Sequence, residues 1–275
     1  MSYLVDSHCH LHDREFFTEE QAEKMLKNAK KNGVEKVICI GTNHEDSLEA
    51  QKFASAHDDV YWTYGIHPEA AKGEKEATPE SIFCEHPQLR RGRNDEPRND
   101  GREEWSQKIS FGDDKLVAIG EVGLDYHYEG YDRDGQIKLF EEMLQLAKDN
   151  NLPVSFHVRE AFDDFFAVAQ NFPKTRGVVH SFTDSKKTLK KILETTDFYV
   201  GVNGLATYST LPMPPLEKII LETDAPFLTP TPNRGKINEP AYIKDIAHWL
   251  STKLGVSSDE VAEKTTENVR NLFNI

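Results

Sequence analysis

Two histidines near the start of the chain, His8 and His10, are separated by one residue in an apolar run. Alternate side chains of a β-strand face the same side, so both imidazoles could contact one cation. Carboxylates interrupt two later apolar runs, Glu121 in LVAIGEVGL and Asp224 in IILETDAPFL. An unpaired carboxylate is costly in such surroundings, which favours a ligand role for each. The residues in this pattern that could hold divalent metal ions are His8, His10, Glu121, His157, His180 and Asp224.

The number of candidate ligands indicates more than one ion. Four histidines and two carboxylates are too many for one tetrahedral ion, but they suit two cations that share a bridging group. Nitrogen and oxygen donors allow zinc, manganese or iron, and also magnesium. A lone buried histidine is usually a hydrogen-bonded core residue, but six converging groups make that interpretation improbable. Cys9 should point to the opposite side of its strand, and His12 falls in a loop and is expected at the surface.

Runs rich in Val, Ile and aromatic residues alternate eight times with stretches of helical spacing. The predicted strands are 3–8, 35–41, 60–66, 116–122, 153–158, 177–182, 198–202 and 218–224, and the predicted helices include 19–32, 136–150 and 241–254. This order predicts a parallel (β/α)8 barrel of the TIM type. A doubly wound open sheet is the alternative, but no glycine-rich phosphate loop follows the first strand. In a barrel, the candidate ligands fall at the carboxyl ends of strands, where barrel enzymes build active sites.

Two connections depart from the regular alternation. Residues 85–108 hold six basic and six acidic side chains and few apolar ones, which predicts a flexible charged insertion. Residues 204–217 contain three prolines and leave little room for a helix, which predicts a shortened unit before the last strand. We expect one barrel domain over residues 1–275.

The composition favours a globular protein of the cytoplasm. The formal charge of −14, from 33 basic and 47 acidic residues, argues against a general nucleic-acid coat protein. It does not exclude an enzyme that acts on phosphates, because bound cations can reverse the charge of one pocket. Three cysteines cannot form a closed disulfide set, and no apolar run suits a signal peptide or a membrane span. We expect no membrane association and no obligate protein partner.

Seven short blocks together resemble the signatures of the TatD family of metal-dependent hydrolases. In family order across residues 6–242, they are DSHCHL, GIHPE, GEVGLDYH, LPVSFHVREA, HSFT, ETDAPFLTP and RGKINEPAY. The resemblance implies a TIM-barrel metallohydrolase related to the amidohydrolases, with magnesium- or zinc-dependent deoxyribonuclease activity. By position it assigns the six candidate ligands as metal ligands, and it places His67 and His127 in the lining of the pocket.

Three departures from the family pattern bear on substrate fit. The charged stretch at 85–108 is an insertion, the segment before ETDAP is shorter than usual, and Asp184 follows HSFT where the family commonly has glycine. None of the three removes a ligand. Loops on this face of a barrel shape the entrance to the site, so these differences concern the substrate rather than the chemistry.

The predicted reaction is hydrolysis of DNA phosphodiester bonds by water activated by two divalent metal ions, Mg²⁺, Zn²⁺ or Mn²⁺. Glu121 would bridge the ions, and Asp224 would hold the first ion and orient or deprotonate the attacking water. The remaining ligands would be His8 and His10 on the first ion and His157 and His180 on the second.

Two arginines are candidates for binding the substrate. Arg159 follows His157 by two residues on the same side of the predicted strand, so it could hold a phosphate bidentately. A barrel-rim ion pair is an equal alternative for Arg159. Arg234 in RGKINEP could meet the phosphodiester backbone, or it could belong to a solvated loop.

Other functions use the same residues. A deacylase or small-molecule hydrolase of the amidohydrolase type would direct the metal ions to a carbonyl, and a small-molecule phosphoesterase would use the same dinuclear site. The ligands alone separate neither from a nuclease. A metal-stabilised binding protein, with the charged insertion as its recruiting segment, is the non-enzymatic alternative. Turnover that a chelator abolishes would exclude the binding protein, and a substrate panel would separate the enzymes.

Overall fold

The structure is a computed structural model that describes residues 2–72 and 111–275. Eight parallel strands follow one another around a single sheet in chain order. The sheet closes between its ends, where the amide of His10 donates to the carbonyl oxygen of Ala225 at 2.8 Å and Cys9 forms a β-bridge with Ala225. The predicted (β/α)8 barrel is confirmed, and the open doubly wound sheet is not what the chain forms.

Several strands end earlier than predicted. They are β1 Leu4–Cys9, β2 Val34–Cys39, β3 Val60–Tyr64, β4 Leu116–Asp125, β5 Val154–Arg159, β6 Gly177–Val179, β7 Tyr199–Val202 and β8 Ile219–Leu221. β2, β3, β6 and β8 stop short of the predicted ends, whereas β4 continues to Asp125. An apolar run records burial rather than ladder hydrogen bonding, so buried residues just after a strand are predicted as part of it.

The α-helices match the predicted segments where predictions were made. They are α1 Glu19–Lys31, α2 His44–Ser55, α3 Arg133–Asn150, α4 Phe162–Ala169, α5 Lys186–Thr195, α6 Ile243–Leu254 and α7 Ser258–Phe273. A capping box between Thr18 and Gln21 begins α1. Gly255 ends α6 with a φ of 71°, a left-handed conformation that glycine adopts without steric cost.

The unit before the last strand is short, as predicted. Between β7 and β8 the chain, which is described throughout, forms only two 3-10 helices, Gly204–Thr207 and Leu216–Lys218. Prolines lack the amide hydrogen that a helix interior needs, which explains why no α-helix forms here.

The amino-terminal end of the barrel is covered by α7, an element that the sequence analysis does not single out. Thr266 donates to the carbonyl oxygen of Tyr3 at 2.6 Å, and Asn268 donates to that of Ile219 at 2.7 Å, both at the starts of strands. The apolar cluster at this end contains Val5, Ile38, Val117, Ala118, Val178 and Ile220 from the strands, Ile40 just after β2, and Val269, Leu272 and Phe273 from α7. A separate, larger cluster fills the layer between sheet and helices.

Part of the sequence-based prediction falls outside this structure. The charged insertion at 85–108 lies outside the described residues, so it and the one-domain organisation stay predictions. In the two described stretches, no helix combines the length and apolar character needed to cross a membrane.

Candidate metal centre

The predicted ligands meet at the carboxyl-terminal end of the barrel. His8, Glu121 and His157 lie within β1, β4 and β5, whereas His180 directly follows β6 and Asp224 comes three residues after β8. The predicted strand positions of the last two are therefore wrong, although their place at this end of the barrel is as predicted. In the described part of the chain, three groups of side chains bring ligand atoms within 4.8 Å of one another: His8, His10 and Glu121; His8, His180 and Asp224; and His67, Glu121 and His157.

Glu121 lies at the centre of this arrangement. Its Oε1 is 2.7 Å from Nδ1 of His157, 3.0 Å from Nε2 of His180 and 3.9 Å from Nε2 of His67. Its Oε2 is 3.5 Å from Nε2 of His8. One buried carboxylate is thus surrounded by imidazoles from four different segments of the barrel.

Close packing of the backbone sets the position of Glu121. The amide of Glu121 donates to the carbonyl oxygen of Gly41 at 2.7 Å, and the hydroxyl of Thr63 donates to the carbonyl oxygen of Gly120. A Cβ atom on Gly65 would overlap the backbone of Gly120 and Glu121. Glycine at position 65 therefore allows β4 to approach this closely and aim the carboxylate into the barrel.

Asp224 contacts the same cluster from the loop that follows β8, next to β1 at the barrel seam. Its Oδ1 lies 3.5 Å from Nε2 of His10 and 3.7 Å from Nε2 of His8. Its φ of 58° is in the left-handed region, where aspartate is among the few non-glycine residues found. Hydrogen bonds of 2.8 Å from the Asp224 amide to His8, and from the Phe227 amide to Asp224, hold the turn.

The histidines are not grouped as predicted, with His8 and His10 at one ion and His157 and His180 at the other. The ring of His180 stacks on that of His8, with centroids 3.9 Å apart, while its distance to the His157 ring is 5.8 Å. His67 was assigned only to the pocket lining, yet its ring lies 4.5 Å from His157 and shares a candidate group with it. The geometry thus pairs His180 with His8 and pairs His67 with His157.

Two carboxylates that sequence analysis missed support the histidines. Asp125 Oδ2 lies 2.9 Å from Nε2 of His157, and Glu222 Oε1 lies 3.5 Å from Nδ1 of His180. Such outer carboxylates orient an imidazole and raise its basicity. Period-two spacing could have found Asp125, because it follows Glu121 by four residues within β4. Glu222 lies one residue after β8 and ends the apolar run that precedes Asp224, so its signal was a carboxylate next to buried residues.

The donors fit divalent cations. Both ring nitrogens of His8 are buried without a hydrogen-bond partner among the described residues. Buried polar atoms normally have partners, and leaving one unpaired costs free energy. Imidazole nitrogens beside carboxylate oxygens are the donor set that zinc and manganese accept. The lone pair on Nε2 of His8, which faces Glu121 and Asp224, would be used by such an ion.

The charges of the cluster suit cation binding. Burial would raise the pKa of Glu121, but the neighbouring His180, with hydrogen bonds from the surrounding rings, holds that pKa well below its usual range. Burial likewise opposes ionisation of Asp224, yet the hydrogen bond with His10 lowers its pKa. Burial lowers the pKa of His67 to about 4, so this ring is neutral at pH 7. Ionised carboxylates and neutral imidazoles are the forms that bind metal ions. Burial opposes protonation of His10, His157 and His180, but the neighbouring carboxylates raise the pKa of all three rings, so an ion would displace protons from them.

A cavity of about 860 Å³ opens above the cluster. Arg159 and Tyr128 line it, and the Arg159 guanidinium lies 5.5 Å from the centroid of the Tyr128 ring. Among the described residues Arg159 forms no ion pair, so the rim ion pair considered for it is not present in that part of the chain. On the other side, Phe16 and Phe227 line the same cavity.

Two residues assigned to the substrate do not line this cavity. His127 Nδ1 lies 2.7 Å from Oε1 of Glu160 at the surface. Arg234 is exposed and packs over the Tyr208 ring, 3.9 Å from its centroid. Tyr128, one residue beyond the family block that ends at His127, takes the cavity position instead.

The expected surface position of His12 is wrong. Its side chain is fully buried, and Nε2 lies 2.8 Å from Oδ1 of Asp46. Asp46 also accepts from the amide and hydroxyl of Thr42, so the pair belongs to a polar network inside the fold, in which Nδ1 of His12 has no hydrogen-bond partner among the described residues. Cys9 belongs to the apolar cluster between sheet and helices and to none of the candidate ligand groups, in line with its predicted orientation.

Comparison with known proteins agrees with this geometry. The TatD related DNase family matches residues 5–274. An uncharacterized metal-dependent hydrolase of Bacillus subtilis (strain 168), YabD, is 30% identical over 281 residues, covering 99% of each chain. The 3'-5' ssDNA/RNA exonuclease TatD of Pantoea ananatis (strain LMG 20103) is 31% identical over 274 residues, covering 92% of this chain and 93% of that one.

Solved structures show the same architecture. YJJV, a TatD homolog from Escherichia coli K12, superposes with a TM-score of 0.77 at 26% identity, covering 99% of this chain and 98% of that one. A TatD family hydrolase from Entamoeba histolytica gives a TM-score of 0.78 at 22% identity, with 99% and 98% covered. With a family match over nearly its whole length and a cluster of metal-binding side chains at the carboxyl end of its barrel, this chain belongs to the TatD family of metal-dependent hydrolases.

Proposed function

We propose that this hydrolase cleaves phosphodiester bonds in single-stranded DNA. The observation that carries the proposal is Arg159, whose guanidinium lines the same cavity as the cluster around Glu121. A planar guanidinium can bind phosphate oxygens in pairs, which a site for a neutral amide or ester does not require. The exonuclease name of the Pantoea relative supports the same substrate class.

The residues proposed to hold two divalent cations, Mg²⁺, Zn²⁺ or Mn²⁺, are His8, His10, Glu121, His157, His180 and Asp224. Glu121 belongs to two of the three candidate groups, one with His8 and His10 and the other with His67 and His157. This shared membership supports a bridging role. When bound, such cations acidify a coordinated water and neutralise charge on the phosphoryl oxygens.

Asp224 is proposed to accept the proton of the attacking water. Its carboxylate faces the cluster beside His10, and its lowered pKa keeps it ionised at neutral pH. An ionised carboxylate within hydrogen-bond reach of the water can orient it and take up its proton. Glu121 contributes to catalysis by holding the cations in place.

Substrate binding divides the assigned residues into two sets. Arg159 and His67 line the cavity and are proposed to contact the phosphate and the adjoining sugar. His127 and Arg234 lie outside the cavity lining, so contact with them requires a strand that extends over the barrel rim. The proposed partner is DNA alone, and a cytoplasmic location stays a prediction.

A substrate panel tests this function. Purified protein is stripped of metal, analysed for residual ions and reconstituted separately with Mg²⁺, Mn²⁺ and Zn²⁺. We expect release of nucleotides from single-stranded DNA that a chelator abolishes and that readdition of metal restores. Hydrolysis of aminoacyl esters or amides without any phosphodiester turnover would contradict the proposal and favour the deacylase.

A further inference from the structure

Two phenylalanines are exposed at one side of the cavity, on the loops that follow β1 and β8. Phe16 is 44% exposed and Phe227 is 47% exposed. Their ring centroids lie 5.2 Å apart at an interplanar angle of 83°, and the Phe227 ring lies 6.4 Å from that of His10. This edge-to-face pair therefore stands directly beside a proposed metal ligand.

The exposure of apolar side chains is concentrated at this cavity. Of the five large hydrophobic residues exposed in residues 2–72 and 111–275, three line it, namely Phe16, Tyr128 and Phe227. Scattered exposed apolar residues need no explanation, but an exposed cluster beside a polar site indicates a ligand surface. The ligand must therefore present an apolar face next to the group that the metal centre binds.

The two sides of the cavity offer different chemistry. β8 and β1 are neighbours at the barrel seam, whereas β4 and β5, which lead to Tyr128 and end at Arg159, lie across the barrel from them. The cluster around Glu121 lies between. A ligand that spans the cavity thus meets the Phe16–Phe227 pair on one side and the Arg159 guanidinium beside the Tyr128 ring on the other.

We propose that Phe16 and Phe227 form a stacking platform for one nucleobase, that of the nucleotide next to the phosphodiester held at the metal centre. This inference rests on the proposed phosphodiesterase function. A base presents a flat aromatic face, and the phosphate on its sugar would reach both the metal centre and Arg159. Base–aromatic stacking contributes about 1–3 kcal/mol per base and is tolerant of sequence. Because the stacked face must be free, the platform selects single strands over duplexes.

The test combines variants with a series of abasic substrates. Metal-reconstituted wild type, Phe16→Ala/Phe227→Ala and Phe227→Trp are assayed on single-stranded DNA oligonucleotides, each lacking one base at a successive position. A Tyr61→Ala variant is the matched control, since Tyr61 lies on β3 beside Lys36 and does not line the cavity. Binding constants are measured in an Asp224→Asn background, where slow turnover leaves the oligonucleotide intact.

We expect the double variant to raise KM and weaken binding by about tenfold with little change in kcat, which corresponds to about 1.4 kcal/mol for one stack. Phe227→Trp and Tyr61→Ala should remain within about twofold of wild type, taken as mutational noise. Removal of the base at a single position should weaken binding to wild type by about the same tenfold. It should not weaken binding to the double variant further, since the abasic site and the substitutions remove the same contact. A small dialkyl phosphodiester without any base should be cleaved equally by wild type, the double variant, Phe227→Trp and Tyr61→Ala, all with Asp224 intact.

Three results would overturn the platform. The first is that the double variant binds every oligonucleotide as tightly as wild type does. The second is that its loss of affinity adds to the loss caused by the abasic site. The third is that the double variant loses as much activity on the dialkyl phosphodiester as on the oligonucleotides. In each case wild type still cleaves DNA, so the proposed function stands. If wild type cleaves no oligonucleotide at all, the proposed function fails and the platform fails with it.

Discussion

The two ends of this barrel are built from the same eight strands but bury different chemistry. At the amino-terminal end, apolar side chains such as Val5 and Ile220 pack against Leu272 of α7. At the carboxyl-terminal end, His8 and Glu121 are buried among other polar groups, and the ring nitrogens of His8 have no hydrogen-bond partner in the described chain. The apolar side chains of the amino-terminal end stabilise the fold. The buried polar groups of the carboxyl-terminal end destabilise it, but they are the groups that can bind ions and react.

The contrast has an energetic basis. Burial of apolar surface stabilises a protein by about 25 cal/mol per Å². A buried polar atom without a partner costs about 1–3 kcal/mol. Substitutions at the amino-terminal end should therefore change the free energy of unfolding without changing turnover. Substitutions at the carboxyl-terminal end should change turnover with little effect on the free energy of unfolding.

The largest effect is expected for Asp224→Asn at the carboxyl-terminal end. The amide keeps the size and one coordinating oxygen but loses the charge and the capacity to accept a proton. Turnover should fall by about 10² or more at saturating metal, with KM much less affected. Steady-state kinetics across a metal titration measures this, and Asp163→Asn, an exposed carboxylate in α4, is the control. Recovery above roughly one third of wild-type turnover at high metal would reject the role as proton acceptor.

Leu272→Ala at the amino-terminal end should show the opposite behaviour. The side chain is buried in the cluster that α7 completes, and its truncation should cost about 3 kcal/mol through lost burial and a cavity. At roughly 2–4 °C per kcal/mol, the melting temperature should drop by about 6–12 °C. Turnover of the folded protein at 25 °C should not change. Ile237→Ala, at an exposed position, supplies the control for calorimetry. A stable Leu272→Ala variant with impaired turnover would invalidate the division between the two ends.

A smaller effect is expected for Arg159→Gln. The guanidinium lines the cavity beside Tyr128, and its loss should lower kcat/KM on a phosphodiester by about tenfold while leaving ester hydrolysis, if any, unchanged. Arg133→Gln is matched to it, because Arg133 pairs with Asp164 outside the cavity. Equal kinetics for both variants would mean that the phosphate binds elsewhere.

The smallest effect is expected for Arg234→Gln. This side chain packs over Tyr208 outside the cavity lining, so kcat/KM on a short oligonucleotide should change by less than about twofold. The slope of the logarithm of the binding constant against the logarithm of the salt concentration, measured on a longer strand, should likewise stay within about one unit of the wild-type slope. A loss as large as that of Arg159→Gln would extend the substrate path over the rim of the barrel.

The sequence by itself determined the barrel and six of the side chains that converge at its carboxyl-terminal end, but not Asp125 or Glu222. The alternation of strands and helices can be predicted from local propensity and from the spacing of hydrophobic residues. Carboxylates inside apolar runs, at Glu121 and Asp224, stand out because burial of a charge demands a partner. The single-residue spacing of His8 and His10 needs only the alternation of a strand to place both rings on one side.

Only the tertiary structure decided how these residues are partnered. Glu121 and His180 are 59 positions apart, and their approach to 3.0 Å depends on how the sheet twists and closes. The same closure pairs Phe16 with Phe227, buries His12 against Asp46, and keeps Arg234 outside the cavity. Residue type and local period specify what a side chain can do, whereas the contacts between distant segments depend on strand tilt, loop course and packing, which no short stretch of sequence encodes.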